Sequence, residues 1–227
     1  MNDVTIIIPV GGHHSRYVCE AVQSCFAGPV HPKRVIVVDD HARPPVRLQR
    51  DPRILLLCPA QHIGRSAARN LAARDADTDW LYFLDADDWL EPTALSDFDA
   101  TVNNGIDLLY ADYQYRDGMG THPVRKQLWR YKFRDQRNLV NIGMFVKRER
   151  FYKIGGFDED MAMAEYWDFF IRYTANPKVK VLKGGRPYFT ARAQSSVHLK
   201  AQEALDAGSD KIAALIRGGY YDKWRKI

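Results

Sequence analysis

The sequence predicts an α/β fold with a mostly parallel central sheet and helices on both faces. Three observations carry this. Short β-branched runs alternate with segments of helical spacing, which is the pattern of strand–helix units. Several of the runs stop at Gly or Asp, as strands do when they open into ligand-binding turns. The 227 residues, 46% of them hydrophobic, suffice for one large core.

Val4 to Val10 is a continuous apolar run, as expected of a strand buried on both faces. Pro9 lies near its end and Gly11-Gly12 follows. Val18, Ala21, Val22 and Cys25 recur at helical spacing. Arg34 to Val38 reads as the second strand, ending at Asp39-Asp40, and Arg53 to Leu57 as the third. Arg65 to Arg74 is rich in Ala, Leu and Arg and reads as a helix after Gly64. Trp80 to Leu84 is the fourth strand. A helix is expected after Pro92, since Pro suits a first helical turn, and Ile106 to Tyr110 reads as a further strand.

The most informative turn is Asp85-Ala86-Asp87-Asp88, directly after the fourth strand. Clustered carboxylates are costly to bury unless something positive neutralises them. Hard cations such as Mg²⁺ or Mn²⁺ take carboxylate oxygens and are often shared with substrate phosphates. Asp88 either joins that site or caps the helix that follows, with capping the favoured reading. Gly11, Asp39-Asp40 and Asp85–Asp88 all fall at the C-terminal ends of predicted parallel strands, the edge where such sheets bind ligands.

Composition narrows the class. No apolar run approaches the ~20 residues of a membrane span, and no signal-peptide pattern opens the chain. The three cysteines, Cys19, Cys25 and Cys58, lack metal-ligand spacing and read as free thiols of a reducing, cytoplasmic compartment. A net charge of +5 suits an anionic substrate, a nucleic acid or an acidic membrane surface.

Five segments in order resemble the family 2 glycosyltransferases with the GT-A fold. They are Val4-Thr-Ile-Ile-Ile-Pro-Val10, Val35-Ile-Val-Val-Asp-Asp40, Gly64-Arg-Ser-Ala-Ala-Arg-Asn70, Phe83-Leu-Asp-Ala-Asp-Asp88 and Ile154-Gly-Gly-Phe-Asp-Glu159. The resemblance covers roughly residues 4 to 200. It implies a single Rossmann-like domain over 1–227, with a nucleotide-sugar-binding half (1–112) and an acceptor-binding half (113–227) carrying a C-terminal helical tail. It also implies Mn²⁺- or Mg²⁺-dependent, inverting transfer of a sugar from a nucleotide-diphosphate sugar, most simply a UDP-sugar, to an acceptor hydroxyl. The implied metal ligands are Asp87 and Asp85, with His198 as a third. The implied donor-binding set is Pro9, Gly11, Asp40, Arg69, Asp85 and Arg192. Asp40 resembles the base-reading carboxylate, Asp39 a loop-holding one. Arg192 falls near the family's metal-binding His position and is the alternative contact to the diphosphate.

Several departures bear on function. Gly11-Gly12-His13-His14 replaces the usual aromatic and Asn after the first strand. His41-Ala42-Arg43-Pro44-Pro45 replaces the usual Gly-Ser. Tyr166 stands where the family has its catalytic Asp. The base is therefore assigned to Glu165, with Asp168, one turn on, as the other candidate. A tyrosine with a pKa near 10 is a poor base at neutral pH. Tyr166 also leaves open a non-catalytic module that binds nucleotide sugars or glycans.

Residues 122–153 interleave Arg125, Lys126, Arg130, Lys132, Arg134 and Arg137 with Trp129, Tyr131 and Phe133. This segment reads as a solvated loop or as an acceptor surface for a saccharide, a lipid-linked glycan or a hydroxylated base in nucleic acid. The tail from Ile212 to Ile227 could lie on an anionic membrane as a peripheral contact, or pack on its own domain.

Overall fold

A computed structural model describes residues 3–126, 142–161, 164–192 and 210–227, except the Trp224 side chain. Strands β1 (Val4–Val10), β2 (Arg34–Asp39), β3 (Ile54–Leu57) and β4 (Trp80–Phe83) follow the predicted runs to within a residue. With β6 (Leu108–Tyr110), β9 (Met144–Lys147) and β10 (Val181–Lys183) they form a 7-stranded sheet in the order β10-β6-β9-β4-β1-β2-β3. Every neighbouring pair is parallel except the two that involve β9.

The continuous apolar run of β1 is split residue by residue between the two faces. Ile6, Ile8 and Val10 join one core cluster and Ile7 the other, as the two-residue period of a strand requires. The first cluster takes α1 (Val18–Ser24) and α3 (Ala94–Val102). The second takes α2 (Arg65–Asp75), α4 (Arg148–Lys153) and α5 (Glu165–Tyr173). Helices therefore cover both faces, and β4 is the central strand with β1 beside it. In the second cluster Phe157 stacks on Phe169 with ring centroids 4.5 Å apart, and Phe83 meets Phe157 edge-on at 5.0 Å.

A second, 4-stranded sheet has the order β5-β11-β7-β8. It comprises β5 (Trp89–Leu90), β7 (Tyr113–Asp117), β8 (Gly120–Val124) and β11 (Phe189–Arg192). Its strands are short, and β5 and β11 pair across 99 residues of chain (Leu90 with Phe189), so periodicity did not reveal it. The sheet also corrects the reading of Asp88. Trp89-Leu90 continues as β5, α3 starts only at Ala94, and its first turn has no side-chain cap. Asp88 instead accepts the backbone N–H of Arg192 at 3.1 Å, tying β4 to β11.

The C-terminal tail packs on its own domain. Residues 210–217 are helical, and Ile212 and Tyr221 are buried against Met161, Ala164, Trp167 and Ile171. Those apolar residues are thus unavailable to a membrane. No helix among the described residues is long and apolar enough to cross one.

Candidate active site

The ends of β1, β2 and β4 converge as predicted, but their carboxylates do different work. Asp39 accepts the backbone N–H groups of Ala42 (2.8 Å) and Val46 (2.9 Å), the loop-holding role expected of it. Asp40, 4% exposed, accepts from Ile63 N–H (2.7 Å) and Gly64 N–H (2.9 Å), with His62 Nδ1 3.0 Å away. Both its oxygens hold the entry to α2, whose N-terminal Gly64 has φ +83°. Gly11 brings its backbone close to this corner. A Cβ there would lie 3.9 Å from the Asp40 carbonyl oxygen. Pro9 pairs with Val38 inside the sheet. A cleft of about 470 Å³ opens beside this corner, lined by His41 to Pro45, Asp39, Cys58 and Pro59.

The β4 turn gathers the acidic charge. Burial, and then the charge of Asp85, pushes the Asp87 carboxyl above its usual range. Burial, Asp85 and Asp87 push Asp88 well above it. Arg192 faces this turn. Its guanidinium lies between the rings of Tyr17 (4.2 Å) and Trp89 (4.1 Å), donates from Nη2 to Glu20 Oε2 (2.8 Å) and from Nε to the Asp87 carbonyl (3.3 Å). The aromatic pair that fixes Arg192 was not anticipated, although Trp89 directly follows the acidic run.

Among the described residues no three His, Cys, Asp or Glu side chains converge as a ready metal cage. A hard dication shared with a diphosphate keeps several waters and needs only one or two carboxylates. The mutual repulsion around Asp85 and Asp87 is what such an ion relieves, so these residues fit it. His198 and most of the basic-aromatic segment, from Trp129 through Arg137, lie outside the described residues.

The candidate base stands across a cleft of about 200 Å³ lined by Arg65, Arg69, Asp85, Asp88, Tyr113, Ile142, Ala164, Glu165, Tyr166 and Phe189. Glu165 begins α5 directly after Ala164, a non-glycine residue held left-handed at φ 60°, ψ 22°. Such strain costs of order 1–3 kcal/mol and persists where the surroundings impose it. Arg69, expected to touch the donor, is 2% exposed. Its Nη1 donates to Glu165 (2.8 Å) and its Nη2 to Asp85 (2.7 Å). The next residue, Asn70, clamps the Gly155-Gly156-Phe157 turn by bonds to the Phe157 N–H and carbonyl, both 2.9 Å. A Cβ on Gly156 would meet Asn70 Oδ1 at 2.6 Å, so the second glycine of the Ile154–Glu159 segment makes room for the asparagine of the Gly64–Asn70 segment.

Asp168 does not reach this cleft, which corrects its place among the candidate bases. It is fully buried, takes Arg172 Nε at 2.8 Å and the Tyr221 hydroxyl at 2.9 Å, while Arg172 Nη1 also holds the Ile154 and Gly156 carbonyls. Breaking one partner of a buried pair strands the other charge. Asp168→Ala is therefore expected to cost about 3–5 kcal/mol, read as a lower urea midpoint. An unchanged midpoint would contradict the buried pairing.

Residues 5–164 match the sequence profile described as glycosyl transferase family 2. The chain belongs to that family. An uncharacterized glycosyltransferase of Methanocaldococcus jannaschii, MJ1057, is 31% identical over 137 residues, 56% of this chain and 47% of that protein. An uncharacterized glycosyltransferase of Bacillus subtilis, YwdF, is 26% identical over 174 residues, 71% of this chain and 65% of that protein. The chain thus spans about half to two thirds of the length of the curated relatives it matches. S. aureus TarS, residues 1–349, shares the fold at TM-score 0.70 and 18% identity, over 99% of this chain and 69% of that one. A structure of the same TarS segment in complex with UDP-GlcNAc aligns at TM-score 0.70 and 19% identity, over 99% of this chain and 70% of that one. In this family 2 domain the seven-stranded sheet is the GT-A core.

Proposed function

We propose that this family 2 chain transfers a sugar, with inversion and with Mn²⁺ or Mg²⁺, from a UDP-sugar to an acceptor hydroxyl. The observation that carries the reading is the cleft that sets Asp85, at the acidic turn, opposite Glu165 across a single arginine. In this reading Asp85 and Asp87 hold the dication, which when bound neutralises charge on the leaving diphosphate. Arg192, pinned by Tyr17 and Trp89, presents a fixed positive charge to that diphosphate. Pro9, Gly11 and Asp40 shape the nucleoside end. Glu165 accepts the proton of the acceptor hydroxyl as its oxygen attacks the anomeric carbon, and the bond to the diphosphate breaks with the electron pair leaving on the nucleotide.

The two halves of the chain share this cleft. Arg65, Arg69, Asp85 and Asp88 come from 1–112, and Tyr113, Ile142, Tyr166 and Phe189 from 113–227, which supports assigning the acceptor to the second half. The aromatic lining favours a saccharide ring as acceptor. The exposed free thiols Cys19 and Cys58 fit a reducing cytoplasm. Tyr166, at the family's base position, is the observation that favours a non-catalytic binding module as the second reading.

The test is thermal stabilisation by a panel of nucleotide sugars with and without Mn²⁺, followed by donor turnover. UDP-sugar with Mn²⁺ should stabilise by about 2.7 kcal/mol at a hundredfold excess over Kd. The effect should grow as pH rises from acid toward neutrality. Asp87 and Asp88 hold protons to higher pH in the folded state than in the unfolded one, so ionising them costs the free protein stability as pH rises. The cation takes the protons' place. Stabilisation without turnover would favour the binding module, and neither result with any nucleotide sugar would sink both readings.

A further inference from the structure

We propose that Arg69 is a positioning residue that sets Glu165 in the cleft and locks it to the donor turn, and that it does not bind the donor itself. This rests on the roles given above to Glu165 and Asp85. The guanidinium has a carboxylate at each end, Glu165 on one terminal nitrogen and Asp85 on the other. A planar fork of fixed span holds its two partners at a fixed separation, which the single point charge of a lysine cannot do. The fork is itself immobilised. It is 2% exposed, and the Phe157 ring lies 5.4 Å from its central carbon. Phe157 is in turn clamped by Asn70, the next residue of the same helix.

The arrangement carries two costs. Among the described residues the buried Arg69 Nε has no hydrogen-bond partner, and Ala164, beside Glu165, keeps its left-handed backbone. Both persist because the fork fixes the helix start where the carboxylate must stand. Only one Glu165 oxygen is held: Oε1 takes Arg69 at 2.8 Å and faces Arg65 at 3.8 Å, while Oε2 takes no hydrogen bond from a described residue. A carboxylate held by one oxygen is aimed and still has a second oxygen for an acceptor proton.

The experiment compares Arg69→Lys, which keeps a buried positive charge, with Arg69→Met, Glu165→Gln and the Arg69→Met/Glu165→Gln double variant. In a crystal structure of R69K the Glu165 carboxylate should move by about 1 Å or more, the scale of misplacement that costs roughly 10²-fold in rate. An unmoved Glu165 overturns the proposal whether or not the chain proves to be a transferase. In UDP-sugar turnover, R69K should lower kcat at least tenfold with donor KM within threefold of wild type. The double variant should be no slower than Glu165→Gln alone, because Arg69 acts through that carboxylate. A raised donor KM with kcat kept, or multiplying losses in the double variant, overturns the proposal. A wild-type protein that neither binds nor turns over any UDP-sugar overturns the functional reading instead, and the R69K structure still decides the positioning role.

Discussion

Asp87→Ala should abolish Mn²⁺-dependent UDP binding and lower donor turnover by roughly 10²–10³-fold, the scale on which a preorganised charge-stabilising group acts. The reason is electrostatic. Asp87 and Asp88 are raised by burial and by the charge of Asp85, and an added cation relieves that accumulation of charge. The substitution removes one of the repelling charges, so the metal-free variant should melt no lower than wild type. Calorimetry with UDP and Mn²⁺, beside a melting curve followed by circular dichroism, separates the two effects. Retained Mn²⁺-dependent binding would refute the assignment of Asp87. A lowered melting temperature would mean that Asp87 holds the turn together.

Glu165→Gln should leave donor binding close to normal and slow sugar transfer by about 10²–10⁴-fold. Glutamine keeps the volume and retains a carbonyl oxygen for the Arg69 bond at Oε1, while the proton-accepting carboxylate is lost. Steady-state transfer and donor hydrolysis, with UDP affinity measured in parallel, read this directly. Normal transfer by this variant would remove Glu165 as the base. Asp168 would not inherit the role, since its carboxylate is fully buried and held by Arg172 and Tyr221.

Much of the frame was legible because its causes are local. The runs at Val4–Val10, Arg34–Asp39 and Trp80–Phe83 are largely β-branched or aromatic and continuous, and they became three adjacent interior strands of the sheet. The ends of β1, β2 and β4 were legible as a ligand edge because topology places them there. The second sheet was not, because β5 is 2 residues long and exists only through pairing with β11. Nor was the sharing of labour between the paired aspartates. Asp40, expected at the nucleobase, also takes the backbone N–H groups of residues 63 and 64, more than twenty positions on, a second duty that local spacing does not show.

The carboxylates of α5 show where local reading ends. Glu165 and Asp168 are three residues apart and neighbours on one helix turn, so sequence spacing treats them alike. Tyr221, fifty-three positions away, covers Asp168, while Arg69, ninety-six positions before Glu165, holds that residue at the cleft. The sequence by itself determined the strand–helix order, the acidic turn at Asp85–Asp88 and the family, because each is written in contiguous residues. Which carboxylate meets the cleft and which is enclosed in the core was decided only by tertiary structure. A buried charge takes its role from the groups that neutralise it, and here the chain brings those groups in from distant segments.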